Sequence, residues 1–137
     1  METRTVLFVD DDRIVLRSLE RGLLYEPYNK LFANSAKITL EILQQEKVHV
    51  IVTDMCMPDM DGLELLQIVD KKYPHIVKIV LSGYADQDTV QQAIHQGDIF
   101  KFIRKPWKLE ENFKEIILEA IDRYNLQREH TTVGQQS

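Results

Sequence analysis

Short apolar runs alternate with longer amphipathic stretches along the whole chain. The apolar runs predict five β-strands, at 5–9, 30–33, 48–53, 77–81 and 100–103. Between the strands, apolar positions recur every three or four residues, which predicts helices. These helices are expected at 13–24, 35–45, 62–72 and 88–96, with a last one beginning near 109.

The strand candidates at 48–53 and 77–81 are nearly continuous in apolar residues. Such strands are typical of a parallel sheet that helices cover on both faces. The alternation therefore predicts a doubly wound α/β domain. Periodicity ends after Gln127, so we expect a domain at 1–127 and a polar tail or truncated linker at 128–137.

The composition is that of a single globular domain. The 137 residues suffice for one hydrophobic core. A net charge of −5 disfavours the clustered basic surface of a nucleic-acid-binding chain. No apolar run approaches the ~20 residues that a bilayer span needs, and no signal peptide pattern is present. We expect a cytoplasmic protein that contacts neither membrane nor nucleic acid directly.

Polar side chains cluster where the predicted strands end. Asp10, Asp11 and Asp12 follow the first strand, and Asp54 follows the third. Ser82 and Lys105 follow the fourth and fifth strands. In open α/β sheets, ligands bind at the carboxyl ends of the strands, so these side chains should converge on one pocket.

The chemistry of this pocket points to phosphoryl transfer. Clustered carboxylates repel one another and are commonly neutralised by a divalent cation, and Mg²⁺ prefers oxygen ligands. Lys105 and Ser82 add a positive charge and a hydroxyl that suit phosphoryl oxygens. A carboxylate is then the expected nucleophile, because aspartate can form an acyl phosphate.

Four ordered motifs resemble the receiver domains of two-component response regulators, over residues 4–124. They are Val-Asp10-Asp11-Asp12, Thr-Asp54-Met-Cys-Met-Pro58-Asp-Met-Asp61-Gly62, Leu-Ser82-Gly83-Tyr84 and Lys105-Pro106. The resemblance implies a flavodoxin-like (βα)5 domain whose five-stranded parallel sheet has the order 2-1-3-4-5.

The resemblance also implies roles in phosphorylation and metal binding. Asp54 is the expected phosphoacceptor and a metal ligand. Asp11 is expected to bind Mg²⁺ directly, and Asp10 to act directly or through water. The backbone carbonyl of Cys56 is expected to complete the protein ligands.

A conformational switch is implied as well. Ser82 is expected to hydrogen-bond the phosphoryl group, and Phe102 to be the aromatic side chain that rotates in response. Lys105 is expected to assist the chemistry, and the Lys105–Pro106 peptide bond to be cis. The domain would then be a signalling phosphoacceptor that assists its own phosphorylation and dephosphorylation, not a conventional enzyme.

The implied partners are a sensor histidine kinase or phosphotransfer protein and an output domain, covalently linked or separate. The Lys-Pro-Trp107 variant is similar to receivers that precede HD-type phosphohydrolase domains, which makes such an output domain one candidate. A homodimer is a candidate assembly. The regulated process is not indicated by the sequence.

Three alternatives accompany this interpretation. Asp10-x-Asp12 also resembles the nucleophile motif of haloacid-dehalogenase-type phosphatases, in which Asp10 would be phosphorylated. A pseudo-receiver would bind partners without phosphorylation. A calcium loop at 57–68 is disfavoured because its first and last positions are not acidic. Asp12 and Asp61 are expected to be helix N-caps.

Overall fold

The computed structural model describes residues 3–83, 88, 91, 92, 94, 99–107 and 112–136. The helix predicted at 88–96 lies largely outside these residues, and so does Tyr84. Within the described chain, no helix is long and apolar enough to cross a membrane.

Strands and helices alternate as the apolar pattern predicts. The elements are β1 (Thr5–Val9), α1 (Arg13–Gly22), β2 (Asn29–Ala33), α2 (Ala36–Gln45), β3 (Val50–Thr53), α3 (Gly62–Lys72), β4 (Val77–Ser82), β5 (Lys101–Arg104) and α4 (Phe113–Gln136). All five predicted strands are confirmed, and each of their ends lies within two residues of the predicted position. Helix α1 ends two residues earlier than predicted, because the backbone leaves the helical conformation at Leu23.

The five strands form one parallel sheet in the order β2-β1-β3-β4-β5. This order confirms the doubly wound, flavodoxin-like fold. Because β1 and β3 are neighbours at the point where the strand order reverses, their carboxyl ends border the crevice where such folds bind ligands.

Two hydrophobic cores cover the two faces of the sheet. In β1, Val6 and Phe8 contribute to one core, and the alternate residue Leu7 contributes to the other. The first core includes apolar residues of α1 and α4, and the second includes those of α2 and α3. Burial of both faces explains why the strands are nearly continuous in apolar residues.

Side-chain caps begin the helices on either side of the pocket. The Asp12 carboxylate accepts the backbone N–H of Ile14, and the Asp61 carboxylate accepts that of Leu63. Both expected N-caps are therefore confirmed. Each cap satisfies an N–H group that has no partner within its helix.

Helix α4 is 24 residues long and continues to Gln136. The backbone of the segment expected to be a polar tail or truncated linker is therefore helical as far as Gln136. A helix is held by its backbone hydrogen bonds, which do not require an apolar stripe. The domain boundary at 127 remains a prediction.

Candidate functional site

Three carboxylates meet at the carboxyl ends of β1 and β3. Asp10, Asp11 and Asp54 each offer an oxygen that lies within 4.8 Å of the other two. Asp10 and Asp54 are buried, with 2% and 7% of their surface exposed, whereas Asp11 is exposed. The predicted convergence is therefore confirmed for these three residues, and the exposed Asp11 gives the cluster access to solvent.

Backbone N–H groups hold the two buried carboxylates. Asp12 donates its N–H to Oδ1 of Asp10 at 2.9 Å, and Met55 donates its N–H to Oδ1 of Asp54 at 2.8 Å. The N–H of Asp54 donates to the carbonyl of Val9 at 3.0 Å, which extends the pairing of β1 and β3 into the site. These bonds leave Oδ2 of both carboxylates facing other charged groups.

Lys105 brings the positive charge to the cluster. Its Nζ lies 2.7 Å from Oδ2 of Asp10 and 3.4 Å from Oδ2 of Asp54. Its backbone N–H donates to the carbonyl of Ser82 at 3.1 Å, which joins the ends of β4 and β5. The expected cis peptide bond between Lys105 and Pro106 is present. The shorter contact makes Asp10 the principal partner of Lys105.

Burial and charge act together on the ionisation of this pair. Burial raises the pKa of the Asp10 carboxyl above its usual value, although Lys105 opposes the increase. Burial alone would lower the pKa of Lys105, but the hydrogen bond and the negative charge of Asp10, with a contribution from Asp54, raise it overall. Lys105 therefore remains an ammonium at neutral pH, and its Nζ contacts two of the three clustered acids, Asp10 and Asp54.

The donor set suits a hard divalent cation such as Mg²⁺. Mg²⁺ binds oxygens at about 2.0–2.1 Å, so two of its ligands lie at most about 4 Å apart. Oxygens within 4.8 Å of one another meet this requirement after small side-chain movements. Cys56 is exposed and lines a cleft beside Asp11. The role of its carbonyl as a ligand remains a prediction.

The two expected switch residues lie on neighbouring strands. Ser82 is the last residue of β4 and is buried, with 1% of its surface exposed. Phe102 is half-buried on β5, where it pairs with Val80 of β4. The structure therefore brings both to the β4–β5 edge of the site, while their movement remains a prediction.

Gly62, which the sequence marks as part of the Asp54 motif, also meets a steric requirement that sequence reasoning did not predict. Its N–H donates to the carbonyl of Met55 at 2.7 Å, and a Cβ built on it would overlap the backbone carbonyl of Asp54. The only signal in the sequence is a glycine at the start of a helix, where glycine is a poor helix former. Gly62 lets α3 begin directly against the backbone of Asp54 and Met55.

Replacing Gly62 with alanine should therefore destabilise the domain. We expect the free energy of unfolding to fall by about 2 kcal/mol, because the new methyl group meets backbone atoms that cannot move independently. Gly83→Ala is the matched control, since its Cβ would make an ordinary contact with Lys105 at 3.7 Å. Urea unfolding compares the two variants, and equal losses would contradict the steric explanation.

The model of the response regulator receiver domain family matches residues 6–117. The hydrogenase transcriptional regulatory protein HoxA of Bradyrhizobium diazoefficiens is 33% identical over 132 residues, which cover 95% of this chain and 26% of that protein. The chain spans about a quarter of the length of the curated relatives it matches first.

Two solved structures are similar over nearly their whole length. The signal receiver domain of an HD domain-containing protein from Pseudomonas fluorescens Pf-5 has 28% identity and a TM-score of 0.77, and the alignment covers 95% of this chain and 99% of that one. The beryllofluoride-activated NtrC4 receiver domain dimer has 32% identity and a TM-score of 0.79, with coverages of 88% and 98%. The family match, the strand order and the pocket of acids and lysine agree, and the chain belongs to the response regulator receiver domains of two-component systems.

Proposed function

We propose that Asp54 accepts a phosphoryl group, with Mg²⁺, from a phosphohistidine of a sensor kinase or phosphotransfer protein. The observation that carries this proposal is the meeting of the Asp10, Asp11 and Asp54 carboxylates with the Lys105 ammonium at one sheet edge. Family membership supports a phosphoacceptor role in general.

The transfer exchanges one bond to phosphorus for another. A carboxylate oxygen of Asp54 attacks the phosphorus, an oxygen–phosphorus bond forms, and the bond from phosphorus to the donor nitrogen breaks. The electron pair of that bond leaves with the imidazole. Lys105 lies beside Oδ2 of Asp54, where an ammonium stabilises negative charge on the phosphoryl oxygens. Hydrolysis of the acyl phosphate returns Asp54 to its original state.

Asp10, Asp11 and Asp54 would hold the Mg²⁺, and the carbonyl of Cys56 is proposed as a further ligand. When bound, the ion neutralises charge that would otherwise oppose the approach of an anionic donor. The remaining work belongs to the protein, whose backbone N–H groups fix the orientation of the Asp10 and Asp54 carboxylates.

The response to phosphorylation is proposed to be a shift between two existing conformations. Ser82 would move toward the phosphoryl oxygens, and Phe102 would turn into the space that this movement opens. Their positions on adjacent strands support the coupling. The domain thereby acts as a switch that assists its own phosphorylation and dephosphorylation.

Labelling by a small phosphodonor tests the proposal. With acetyl phosphate and Mg²⁺, the intact protein should gain one phosphoryl group, and peptide mapping by mass spectrometry should place it on Asp54. A label on Asp10 would instead indicate the haloacid-dehalogenase-type mechanism. A protein that stays unlabelled under these conditions would be a pseudo-receiver, and the proposal would be wrong.

Mg²⁺ should also stabilise the fold in the absence of any donor. At about 100 times its dissociation constant, we expect the ion to raise the free energy of unfolding by about 2.7 kcal/mol. Asp11→Asn should lose most of this increase, whereas Asp12→Asn should keep it, because Asp12 caps α1 and asparagine also caps helices. Urea unfolding with and without Mg²⁺ measures the effect, and equal behaviour of the two variants would contradict the site.

We propose that the receiver domain is residues 1–127 and that 128–137 connect it to an output domain. Tyr124 supports this boundary because it is buried, with its ring edge-on to His49 at 4.8 Å and beneath the Arg4 guanidinium at 5.1 Å. The helix thus packs on the domain at least as far as Tyr124 and continues beyond it.

The partners and location are proposals of the same kind. A transcription-regulating output is suggested by relatives such as HoxA, and an HD-type phosphohydrolase by the Pseudomonas fluorescens neighbour. A homodimer is suggested by the NtrC4 receiver dimer. We propose a cytoplasmic location for the chain. We also propose that it does not contact nucleic acid directly, because its net charge is −5.

A further inference from the structure

Trp107 occupies a seat on helix α1 that Ser18 and Gly22 form. The indole is buried, with 8% of its surface exposed, and its N–H donates to Oγ of Ser18 at 3.2 Å. Its ring centroid lies 5.1 Å from that of Phe113, which packs it from the side of α4. Ser18 and Gly22 are one helical turn apart, so both present themselves on the same face of α1.

Gly22 is explained by the close approach of this ring. A Cβ built on Gly22 would overlap the ring, with Cζ2 of Trp107 2.7 Å away. Gly22 lies in the last turn of α1, in a helical backbone that any residue can adopt. Glycine costs a helix about 1 kcal/mol relative to alanine. The contact with Trp107 gives a reason for that cost.

The contact between Trp107 and α1 is linked to the pocket of Asp10 and Asp54 in two ways. Trp107 lies two residues after Lys105, whose Nζ contacts Asp10 and Asp54. At the other end, α1 begins directly after the acidic loop, where the N–H of Asp12 donates to the Asp10 carboxylate. Helix α1 therefore directly follows the acidic loop at its N-terminal end, and it contacts Trp107 through Ser18.

We propose that Trp107 is a positioning residue for Lys105, and that its seat on α1 sets where the ammonium lies relative to Asp54. This inference rests on the proposed phosphorylation of Asp54. The bond from Trp107 to Ser18 and the fit against Gly22 fix the chain two residues beyond the lysine, so that Nζ stays within reach of both carboxylates. Misplacing a charged group by about 1 Å can cost up to 10²-fold in rate.

The test is a double-mutant cycle between the seat and the lysine. With saturating Mg²⁺ and acetyl phosphate, Gly22→Ala should slow phosphorylation of Asp54 about tenfold, because the methyl group displaces the ring. In a Lys105→Met background the same substitution should change the rate less than about twofold, since the group it misplaces is gone. A purely structural role predicts equal slowing in both backgrounds, and that result would overturn the inference.

Compensation and fluorescence separate the steric cause from a general loss of stability. Trp107→Phe provides a smaller ring. The double variant Gly22→Ala/Trp107→Phe should therefore be phosphorylated several-fold faster than Gly22→Ala alone. Trp107 is the single tryptophan of the chain, so its emission reports on the seat directly. Gly22→Ala should raise acrylamide quenching at least twofold, and a slowed variant with unchanged quenching would contradict the mechanism.

Ser18→Ala keeps the inference testable if Gly22→Ala does not fold. It removes only the acceptor of the indole N–H, and we expect about threefold slower phosphorylation, as for the loss of one hydrogen bond. This slowing should again disappear with Lys105→Met. Absence of any label on wild-type Asp54 would refute the proposed function, and this inference with it. If wild-type Asp54 is labelled and the folded Gly22→Ala and Ser18→Ala variants are phosphorylated as fast as wild type, the inference alone is refuted.

Discussion

Replacing Asp54 with asparagine is expected to abolish phosphorylation while preserving the fold. The amide cannot attack phosphorus as a carboxylate does, but its oxygen can still accept the N–H of Met55. Loss of the Lys105 contact at 3.4 Å is offset by relief of repulsion from the neighbouring acids. We therefore expect the free energy of unfolding to change by less than about 1 kcal/mol.

Asp59→Asn is the matched control for this substitution. It makes the same chemical change in the same loop, but Asp59 is exposed and its carboxylate accepts the N–H of Lys37 outside the pocket. Intact-mass measurement after incubation with acetyl phosphate should show full labelling of Asp59→Asn and none of Asp54→Asn. Equal labelling of the two variants would assign the phosphoryl group to another residue.

The strands and the acidic pocket were predictable from the sequence, for a physical reason. A strand buried on both faces must be apolar throughout, so its ends are marked where polar residues begin. In a parallel sheet those ends share one edge, which is why the sequence alone predicts that Asp10 and Asp54 lie together. The caps at Asp12 and Asp61 were likewise local features.

Contacts between distant segments were not predictable in this way. Lys105 was assigned to phosphoryl oxygens, but which carboxylate it approaches most closely depends on distances that sequence spacing does not encode. Gly22 and Gly62 owe their identity to a ring and a carbonyl from other parts of the fold. Periodicity in one segment carries no information about such neighbours.

Removal of the lysine charge should have a large effect on stability at neutral pH. Lys105→Met leaves the Asp10 carboxylate, whose side chain is 3% exposed, without its cation at 2.7 Å. Removing one partner of a buried ion pair costs about 3–5 kcal/mol. Because 21% of the Lys105 side chain is exposed, we expect the lower end, about 3 kcal/mol, in urea unfolding without Mg²⁺.

The loss should shrink in acid, and its direction follows from the pKa of Asp10. Burial already raises that pKa, and removing Lys105, which opposes the increase, raises it further. A carboxyl whose pKa is higher in the folded state favours folding when protonated, and this contribution is lost as the pH rises through the folded pKa. The variant should therefore recover stability relative to wild type as the pH falls from 7.5 toward the raised pKa.

Lys101→Met distinguishes this effect from the loss of any lysine on or next to β5. Lys101 is the first residue of β5, whereas Lys105 follows the last, and Lys101 is exposed. Its replacement should therefore change the free energy of unfolding by at most about 0.5 kcal/mol at either pH. Mg²⁺ should restore part of the stability of Lys105→Met, because the bound ion would place a positive charge beside Asp10 in place of the missing Lys105 ammonium. A loss that is the same at pH 5 and pH 7.5, and that Mg²⁺ does not reduce, would mean that Lys105 stabilises the fold through packing of its methylene groups and not through its charge.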